Sequence, residues 1–454
     1  MFDSISHFKK QIKIINLAKK FNNNLKFQKI DCSSSPLTYM TTWVKTPGYY
    51  QLKKLRRIID YGKFKFFIKD ILSIAKLYDL ESVSNIDEKT FRSSNLIISY
   101  CSKNNFRRDG NYFDEFFGVE TNIKNFIWVL ISLDNYQPKN LGKNIVIIKK
   151  KKDKSFSIIY LLKTILSSWK ILISFKKNKI FSHLSYNYFF SKKINKILYN
   201  LLYEIKFKNI LINYEGIPFQ NNLINHLSQI RKNTKFLCYL HCAAWPIQTE
   251  LIYKQDKIDT LFVSGIDQKN VLTKYYSWPS KKVKVIPSLR FNKTKKNSFG
   301  GFLFVPFEIF NKDIFLNNVK KFLELAPKRS LSNLTVRVHP LNKKSKVHQE
   351  VSEKLKNLLK LYSLKFKKKT KKKNSMIFGN ATGVCIQSIE EGNTVFHIPD
   401  DIEVDLFSNK IWKNIFISQK AKNIFSYEIK KKNHIFNTIN KKRKFEKYLL
   451  PYLR

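Results

Sequence analysis

The sequence predicts an α/β protein with two doubly wound units, each built on a mainly parallel sheet. Three observations support this prediction. Short apolar runs rich in β-branched and aromatic residues alternate with helical stretches. The alternation pauses at the polar, basic stretch 291–298 and then restarts. The 454 residues are 43% hydrophobic, which is enough apolar material for two cores. With only 12 glycines and 12 prolines, collagen-like and Gly/Pro-rich low-complexity classes are excluded.

The expected strands and helices alternate along both units, as is typical of parallel sheets. The strands expected in the first unit are 96–101, 126–131, 144–148, 209–214, 235–241, 260–264 and 282–287, and those in the second are 301–307, 334–338, 375–378 and 394–398. Helical patterns cover 219–231, 267–276 and 314–328, and a further helix follows the strand 375–378 as far as residue 391.

The composition divides the chain into four expected parts. Residues 1–80 form a helical, basic N-terminal segment that belongs to the first unit, residues 81–291 form the first α/β unit, residues 299–430 form the second, and residues 431–454 form a basic C-terminal helix. The lysine run 365–373 is interpreted as a solvated loop or an edge strand. No internal repeat is visible.

The net charge is +52, from 85 basic and 33 acidic residues. Of the basic residues 74 are Lys and 11 are Arg. Because nucleic-acid surfaces usually include Arg, which bonds a phosphate or a guanine with two donors, this composition disfavours nucleic acid as a partner. Lysines still attract anionic headgroups and nucleotides, so peripheral contact with an anionic membrane remains open.

The cysteines predict a reducing compartment. The chain has five, spread over its whole length without finger-like His spacing, which disfavours a disulfide framework and a structural zinc site. Lysines interrupt every apolar stretch of the first thirty residues, so neither a signal peptide nor a transit peptide is expected. The predicted location is the cytoplasm, with loose attachment to the inner face of the membrane. No Asp-x-Asp pair ends a strand, so no bound metal is expected.

One apolar segment, 156–175, is long enough to test for membrane insertion. Its polar residues Lys163, Ser167, Lys170 and Ser174 recur at helical spacing and form one narrow stripe. Lysines at mid-depth disfavour a spanning helix. A core helix is the favoured interpretation, and a helix in the membrane interface, beside the lysine run 149–152, is the alternative.

A first candidate site lies where the strand 209–214 ends. Glu215 follows the strand, and Gly216 permits the tight turn that would leave this carboxylate at the mouth of a cleft. There it could take a proton from a hydroxyl group. The competing interpretation is a carboxylate that favours the start of the following helix through the helix dipole.

Two further polar turns follow expected strands of the second unit. His339, ahead of Pro340, could donate to a phosphate, and Arg337 could add a cation, although a structural turn explains the same residues. Residues 378–383 end a strand and open a helix, and their small side chains with the Thr382 hydroxyl are typical of an anion site at a helix N-terminus.

The order of these turns resembles that of GT-B glycosyltransferases, in particular bacterial sialyltransferase-like and surface-polysaccharide transferases. Residues 214–216, 239–241 and 285–290 are especially similar to the surface-polysaccharide branch. The resemblance covers about residues 209–399 and implies two Rossmann-like domains facing a cleft. The first would bind the acceptor and the second the nucleotide.

The resemblance also implies roles for individual residues. Glu215 would be the base. His241, which ends its strand on the cleft side, could orient the acceptor or assist Glu215, although a structural role explains it as well, and Arg290 at the domain junction could equally be an ordinary surface residue. The nucleotide and its phosphates would be bound by Arg290, Arg337, His339, Asn380, Thr382, Gly383 and Gln387. Two departures stand out: Tyr214 replaces the first acidic residue of the acidic-Gly motif, and Gln387 occupies the position where many GT-B enzymes carry a ribose-binding Glu.

The predicted activity is metal-independent, inverting transfer of a sugar, a nonulosonic acid among the candidates, from a nucleotide-sugar to a glycan or lipid-linked glycan in surface-polysaccharide biosynthesis. The donor is a substrate, and no cofactor is expected. Two alternatives stay open. A nucleotide-sugar epimerase of the same fold would need no polymer acceptor, and a non-catalytic basic protein that binds membrane or nucleic acid would not need Glu215.

Overall fold

The computed structural model describes most of the chain. The described residues are 2–27, 79–86, 95–151, 158–159, 162–163, 165–166, 186–203, 207–230, 233–242, 246–253, 256–291, 301–309, 311–325, 334–339, 342–363, 375–379, 383–399, 401–439 and 443–454. Within these ranges, no helix combines the length and the apolar character needed to cross a membrane.

An eight-stranded sheet organises the first unit. Its strands are β1 (Leu80–Ser84), β2 (Asn95–Cys101), β5 (Phe126–Ser132), β6 (Ile145–Lys150), β7 (Asn209–Asn213), β8 (Lys235–Tyr239), β9 (Thr260–Val263) and β10 (Val283–Val285), and a separate hairpin is formed by β3 (Phe113–Asp114) and β4 (Val119–Glu120). The spatial order is β1-β6-β5-β2-β7-β8-β9-β10. β1 is antiparallel to β6, and the other pairs in this sheet are parallel.

The helices of this part are α1 (Ser4–Phe27), α2 (Tyr186–Tyr203), α3 (Pro218–Ile230), α4 (Thr249–Ile252) and α5 (Ile266–Lys274). Apolar side chains cover both faces of the sheet. Its parallel strands are therefore buried on both sides, which explains why they appear in the sequence as nearly continuous apolar runs. β7, with the sequence NILIN, is buried at all five positions.

A six-stranded sheet organises the second unit. Its strands are β11 (Gly301–Phe304), β12 (Leu334–Arg337), β13 (Ser375–Phe378), β14 (Thr394–His397), β15 (Ile415–Ala421) and β16 (Ile424–Ile429), in the order β12-β11-β13-β14-β16-β15. Helices α6 (Lys312–Leu325), α7 (Lys346–Ser363), α8 (Gly383–Glu390) and α9 (Ile402–Asp405) accompany it. The first four strands are parallel, whereas β15 and β16 form an antiparallel hairpin on β14.

The predicted fold class, two doubly wound Rossmann-like units, is confirmed. The expectation of strict strand–helix alternation was wrong at the sheet edges, where β1, β15 and β16 add antiparallel strands. β1 and β15 lie at sheet edges and are mostly exposed or half-buried, so they form no apolar run, whereas β16 lies between β14 and β15 and is buried over its first four residues. The strand expected over 235–241 ends at Tyr239, and the one expected over 301–307 ends at Phe304, so the residues after them lie in turns.

The C-terminal segment returns to the first unit. Where one basic helix was expected over 431–454, the described residues form two short helices, α10 (Lys444–Tyr448) and α11 (Leu450–Leu453). Phe445, Leu449 and Leu453 are buried among Trp128 and the other apolar residues on one face of the first sheet. The segment is basic, but its apolar residues recur at helical spacing, so one face of its helices packs against the first sheet.

The two units share a continuous apolar interface. One buried cluster runs from the first sheet into the second unit, where it includes Trp412. The indole Nε1 of Trp412 donates to the Pro246 carbonyl at 3.2 Å, and Asn414 donates to the Asp267 carboxylate. Helix α1 contacts both α4 and α9, and the Gln11 amide donates to the Leu406 carbonyl at 2.8 Å.

The chain crosses between the units a second time at residues 433–437, here called the crossing segment. On one side the Glu390 carboxylate accepts backbone N–H bonds from Asn433, Ile435 and Phe436 at 2.6–3.2 Å. On the other side the segment's carbonyl and amide groups bond to Asp267 and Ser264. Gly265 lies directly against this segment, and a methyl group on it would overlap the Ile435 carbonyl oxygen.

The segment expected as a core helix over 156–175 lies largely outside the described residues. Residues 158–159, 162–163 and 165–166 are helical. Ile158, Ile159, Leu162 and Leu166 are more than half exposed. These residues therefore differ from the expected core helix, since an apolar face is buried only where another element covers it.

Replacing Gly265 by Ala should destabilise the protein by about 1–3 kcal/mol, because the added methyl group forces the crossing segment away from β9 and α5. Urea unfolding followed by circular dichroism measures the change. Gly142→Ala is the matched control, since its methyl group would meet chiefly the movable tips of Ile145 and Asn111. Equal stability of the two variants would contradict the close approach at Gly265.

Candidate functional site

The turn after β7 holds Glu215 at the carboxyl edge of the first sheet. Gly216 has a φ of +78°, in the left-handed region that glycine adopts at little cost, as the sequence predicted. The first turn of α3 fixes the backbone: the Glu215 amide donates to Gln220 Oε1 at 2.9 Å, and Gln220 Nε2 donates to the Asn213 carbonyl at 2.7 Å. The amide of Asn221 donates to the Gly216 carbonyl at 2.8 Å. The carboxylate is therefore carried by a rigid turn.

Glu215 and His241 face each other at this edge. His241 Nε2 lies 3.4 Å from Glu215 Oε1, and 31% of the Glu215 side chain is exposed whereas His241 is buried. Burial raises the pKa of Glu215 to about 7, against the opposing effect of the Arg290 charge. Burial and then Arg290 lower the pKa of His241 to about 3. His241 is therefore neutral near pH 7, whereas Glu215 exchanges its proton in that range.

Arg290 is the cation at the centre of the site. Its guanidinium group lies 4.8 Å from the ring centroid of Phe116 and 5.0 Å from that of Phe291, and Nη2 is 3.4 Å from Glu115 Oε1. Its charge acts on Glu215 and His241. Arg290 is therefore not an ordinary surface residue, because it lies between two aromatic rings and its charge reaches Glu215.

The turn 288–291 that carries Arg290 is fixed by the C-terminal helices. The Lys444 ammonium group donates to the carbonyls of Ser288 and Phe291, on either side of Arg290. The amide of Leu289 donates to the Tyr239 hydroxyl at 2.9 Å. Burial lowers the pKa of Lys444 to about 8. The direction of the Arg290 side chain thus depends on residues about 150 positions away in the chain.

The loop between β3 and β4 forms one wall of the site and was missed by the sequence analysis. The Asp114 carboxylate accepts the amides of Phe116 and Phe117 at 2.8 and 2.9 Å, which folds the loop tightly. Phe116 then packs edge-on against His241 at 4.6 Å between ring centroids. The available sequence signal was an Asp followed closely by a Gly, which is typical of turns.

His339 brings the second unit to the same place. It follows β12, its ring lies 4.9 Å from that of Phe307, and burial and the Arg290 charge both lower its pKa. The charge of Arg290 acts on both His339 and Glu215, so this guanidinium group is within electrostatic reach of the carboxyl ends of both sheets.

Arg337 takes a different direction from His339. Its guanidinium carbon lies 3.8 Å from the ring centroid of Phe302 on the face of the second sheet. Within the part of the chain that the structure describes, no hydrogen bond, ion pair or ring contact joins Arg337 to Glu215 or Arg290. The structure therefore brings Glu215, His241, Arg290 and His339 together and leaves Arg337 outside this group.

The third predicted turn is described only in part. Asn380 and Thr382 lie outside the described residues, and Gly383 is the first residue of α8. Gln387, at the position expected to face a ribose, donates to Glu391 Oε1 at 2.9 Å. Glu390 cannot replace it, because its carboxylate binds the crossing segment.

The group combines a carboxylate that titrates near neutrality, a guanidinium cation and two neutral imidazoles. Such a set can accept a proton from a hydroxyl group and stabilise a negative charge that develops nearby. Among the described residues, no cluster of three His, Cys, Asp or Glu side chains could hold a metal ion.

The fold and the site define a two-domain α/β protein with a candidate active site between the domains. Comparison of the sequence with protein-family models and with curated proteins gives no match. Solved structures with similar architecture include a trehalose-6-phosphate synthase described as acting by glycosyltransfer with retention, at 11% identity and a TM-score of 0.33 over 60% of this chain and 76% of that one.

Two further structures are similar to the same degree. The α,α-trehalose-phosphate synthase (UDP-forming) of Burkholderia vietnamiensis has 10% identity and a TM-score of 0.33, over 61% of this chain and 71% of that one. The wall teichoic acid polymerase TagF has 10% identity and a TM-score of 0.31, over 74% of this chain and 78% of that one. At these values the similarities assign neither a substrate nor a reaction to this chain.

Proposed function

We propose that the protein is a metal-independent, inverting glycosyltransferase that moves a sugar from a nucleotide-sugar to a hydroxyl of a glycan or lipid-linked glycan. The observation that carries the proposal is that Arg290 lies within electrostatic reach of Glu215 and His241 on one sheet and of His339 on the other. Open parallel sheets bind ligands at their carboxyl edges, and here two such edges share one cation.

Glu215 is the proposed general base. In the transfer the acceptor oxygen bonds to the anomeric carbon as the bond from that carbon to the phosphate oxygen breaks. The acceptor proton passes to Glu215, and the nucleotide leaves with the bonding electron pair. A base works best when its pKa lies near the working pH, and burial brings the pKa of Glu215 to about 7. A single displacement of this kind inverts the anomeric centre.

Arg290 and His339 are the proposed groups that stabilise the departing phosphate. A fixed guanidinium cation neutralises the charge that develops on the leaving oxygen without rearranging first. A neutral His339 can still donate one N–H bond to a phosphate oxygen. The other proposed phosphate contacts are the N-terminus of α8, which begins at Gly383, and the preceding residues Asn380 and Thr382. The nucleotide-sugar is the donor substrate, and the proposed reaction requires no cofactor.

His241 and Phe116 are the proposed acceptor contacts. The apolar faces of sugar rings pack on aromatic side chains, and Phe116 presents its ring beside His241. Surface-polysaccharide biosynthesis is the proposed setting, since it supplies growing glycan chains on the cytoplasmic side of a membrane.

The Glu215→Gln variant should lose about 10²–10⁴-fold in transfer rate, because an amide cannot accept the acceptor proton. Its affinity for the donor nucleotide should stay within a few-fold of wild type, because Glu215 contacts the acceptor and not the phosphates. Nucleotide release with and without a glycan acceptor measures the rate, and calorimetry measures the affinity.

The matched control is Glu353→Gln, on the exposed face of α7, which should keep full activity. A Glu215→Gln protein that retains more than half of the wild-type rate would refute the role of Glu215. Nucleotide release that is independent of any acceptor would instead support the epimerase alternative.

Arg290→Ala and His339→Ala should each weaken nucleotide binding by about 1–3 kcal/mol, the usual cost of losing a charge-assisted hydrogen bond. The two effects should not add, because both groups meet the same phosphate. Calorimetry on the two single variants and the double variant measures the coupling. Arg107→Ala, which removes a surface pair with Glu120, is the control. Unchanged affinity in both single variants for every nucleotide tried would remove these residues from the site.

The location follows from charge and exposure. The net charge of +52 and the exposed side chains of Ile158, Ile159, Leu162 and Leu166 favour loose attachment to an anionic membrane on its cytoplasmic face. The lysine run 149–152 contributes less to membrane attraction than its sequence implies, because Lys149 lies in β6 and its ammonium group is 3.1 Å from the Glu81 carboxylate.

Washing membrane fractions with about 1 M salt should release the protein, because screening then shortens the reach of surface charges to about 3 Å. Immunoblotting of the pellet and the supernatant measures the release. Retention until detergent is added would show that the 156–175 segment is inserted, and failure to pellet at low salt would show that the charge is only compositional.

A further inference from the structure

Glu250 is a second buried carboxyl group directly behind the Glu215–Gly216 turn. It belongs to the short helix α4, whose four residues are all buried, and it is only 7% exposed. A Cβ atom added to Gly216 would lie 3.0 Å from the Glu250 carbonyl oxygen, so the two backbones pack closely. Glu250 Oε2 has no hydrogen-bond partner among the described residues. A buried carboxyl oxygen without a partner is costly if ionised, which favours the protonated form.

The surroundings of α4 hold Glu250 in place. The amide of Gln248, just before the helix, donates to the Tyr276 hydroxyl at 2.8 Å. The Trp278 indole donates to the Leu251 carbonyl at 2.8 Å. The backbone is therefore bonded on both sides of Glu250, which fixes the position from which its side chain extends.

The charged and titratable groups around Glu250 come from several elements. The Glu215 charge acts on it from the turn after β7, and its own charge acts on Cys242, which follows β8, and on Tyr276, which follows α5. Burial and then Glu215 raise the pKa of Glu250 to about 7, although its own backbone amide opposes the change. Arg290 favours ionised Glu215, and His241 beside it is neutral.

These contacts decide which of the two carboxyl groups ionises first. Glu215 has the Arg290 cation within electrostatic reach and is 31% exposed, whereas Glu250 has neither advantage. Two carboxyl groups in one poorly solvated site do not both ionise readily, so the first charge keeps the proton on the second group.

We propose that Glu250 is a positioning residue that loses its proton only after Glu215 has done so, which leaves Glu215 as the single anionic base of the site until Glu250 ionises. The proposal rests on the role of Glu215 in the proposed transfer. A second negative charge here would repel the phosphates of the donor, so ionisation of Glu250 would end activity on the alkaline side. Glutamine is a close mimic of the protonated Glu250 side chain.

The coupling can be measured without any transfer assay. Protein labelled with ¹³C at the glutamate side-chain carboxyl is titrated by NMR, and the two signals are assigned with Glu215→Gln and Glu250→Gln. The midpoint of Glu250 should fall by about one pH unit in Glu215→Gln, because the neighbouring charge is removed. An unchanged midpoint would overturn the proposal. Glu353→Gln, remote from the site, should leave both signals unchanged, and a shift there would overturn the assignment to this pair.

The pH profile of transfer then tests the consequence. Glu250→Gln should keep its rate at pH 7 within a few-fold and should lose the alkaline fall of the wild type, because the group whose ionisation causes that fall is absent. An alkaline fall that is unchanged in Glu250→Gln would overturn the proposal. Glu250→Asp, which restores a carboxyl group, should restore the wild-type alkaline fall. If transfer is absent from every variant and from wild type, the proposed function fails, while the NMR coupling still stands or falls by its own result.

Discussion

The return of the chain from the second unit to the first is the constraint on which the cleft depends. At the crossing segment, one buried carboxylate, that of Glu390, satisfies three backbone amides that no strand or helix pairs. Bonds from amides to an ionised acceptor are among the stronger hydrogen bonds in proteins. Burial raises the pKa of Glu390, and the three amide donors oppose that rise. The second unit is thereby tied to α5 and β9 of the first.

The same return path positions the candidate site. Asn437, at the end of the crossing segment, accepts the Ser288 amide, and Lys444 a few residues later bonds the carbonyls on either side of Arg290. The turn that carries Arg290 is thus held by residues that follow the second unit in the sequence. A cation fixed in this way costs little reorganisation when charge develops beside it, which is the main advantage of a folded site over water.

A buried polar network stiffens the second unit behind the site. His397 on β14 bonds the Tyr427 hydroxyl through Nδ1 at 2.6 Å and the Asp405 carboxylate through Nε2 at 3.1 Å. It joins the parallel part of the sheet to the antiparallel hairpin and to α9. Helix α1 docks on the end of α9 through Gln11. A buried network of this kind favours one arrangement of the core, because a shift would break its hydrogen bonds.

The sequence by itself determined the α/β class, the main strands and the Glu215–Gly216 turn, because apolar runs and glycine conformations depend on neighbouring residues. It did not reveal the antiparallel edge strands, whose half-exposed residues lack that apolar run. The Phe116 wall, the Lys444 contacts and the buried Glu250 were decided only by the tertiary structure. Lys444 and Ser288 are 156 residues apart, and only the path of the folded chain brings them together. The local periodicity of the sequence does not reveal such pairs. The residues that bury Glu215, and the Arg290 cation that opposes the rise in its pKa, come from distant segments of the chain.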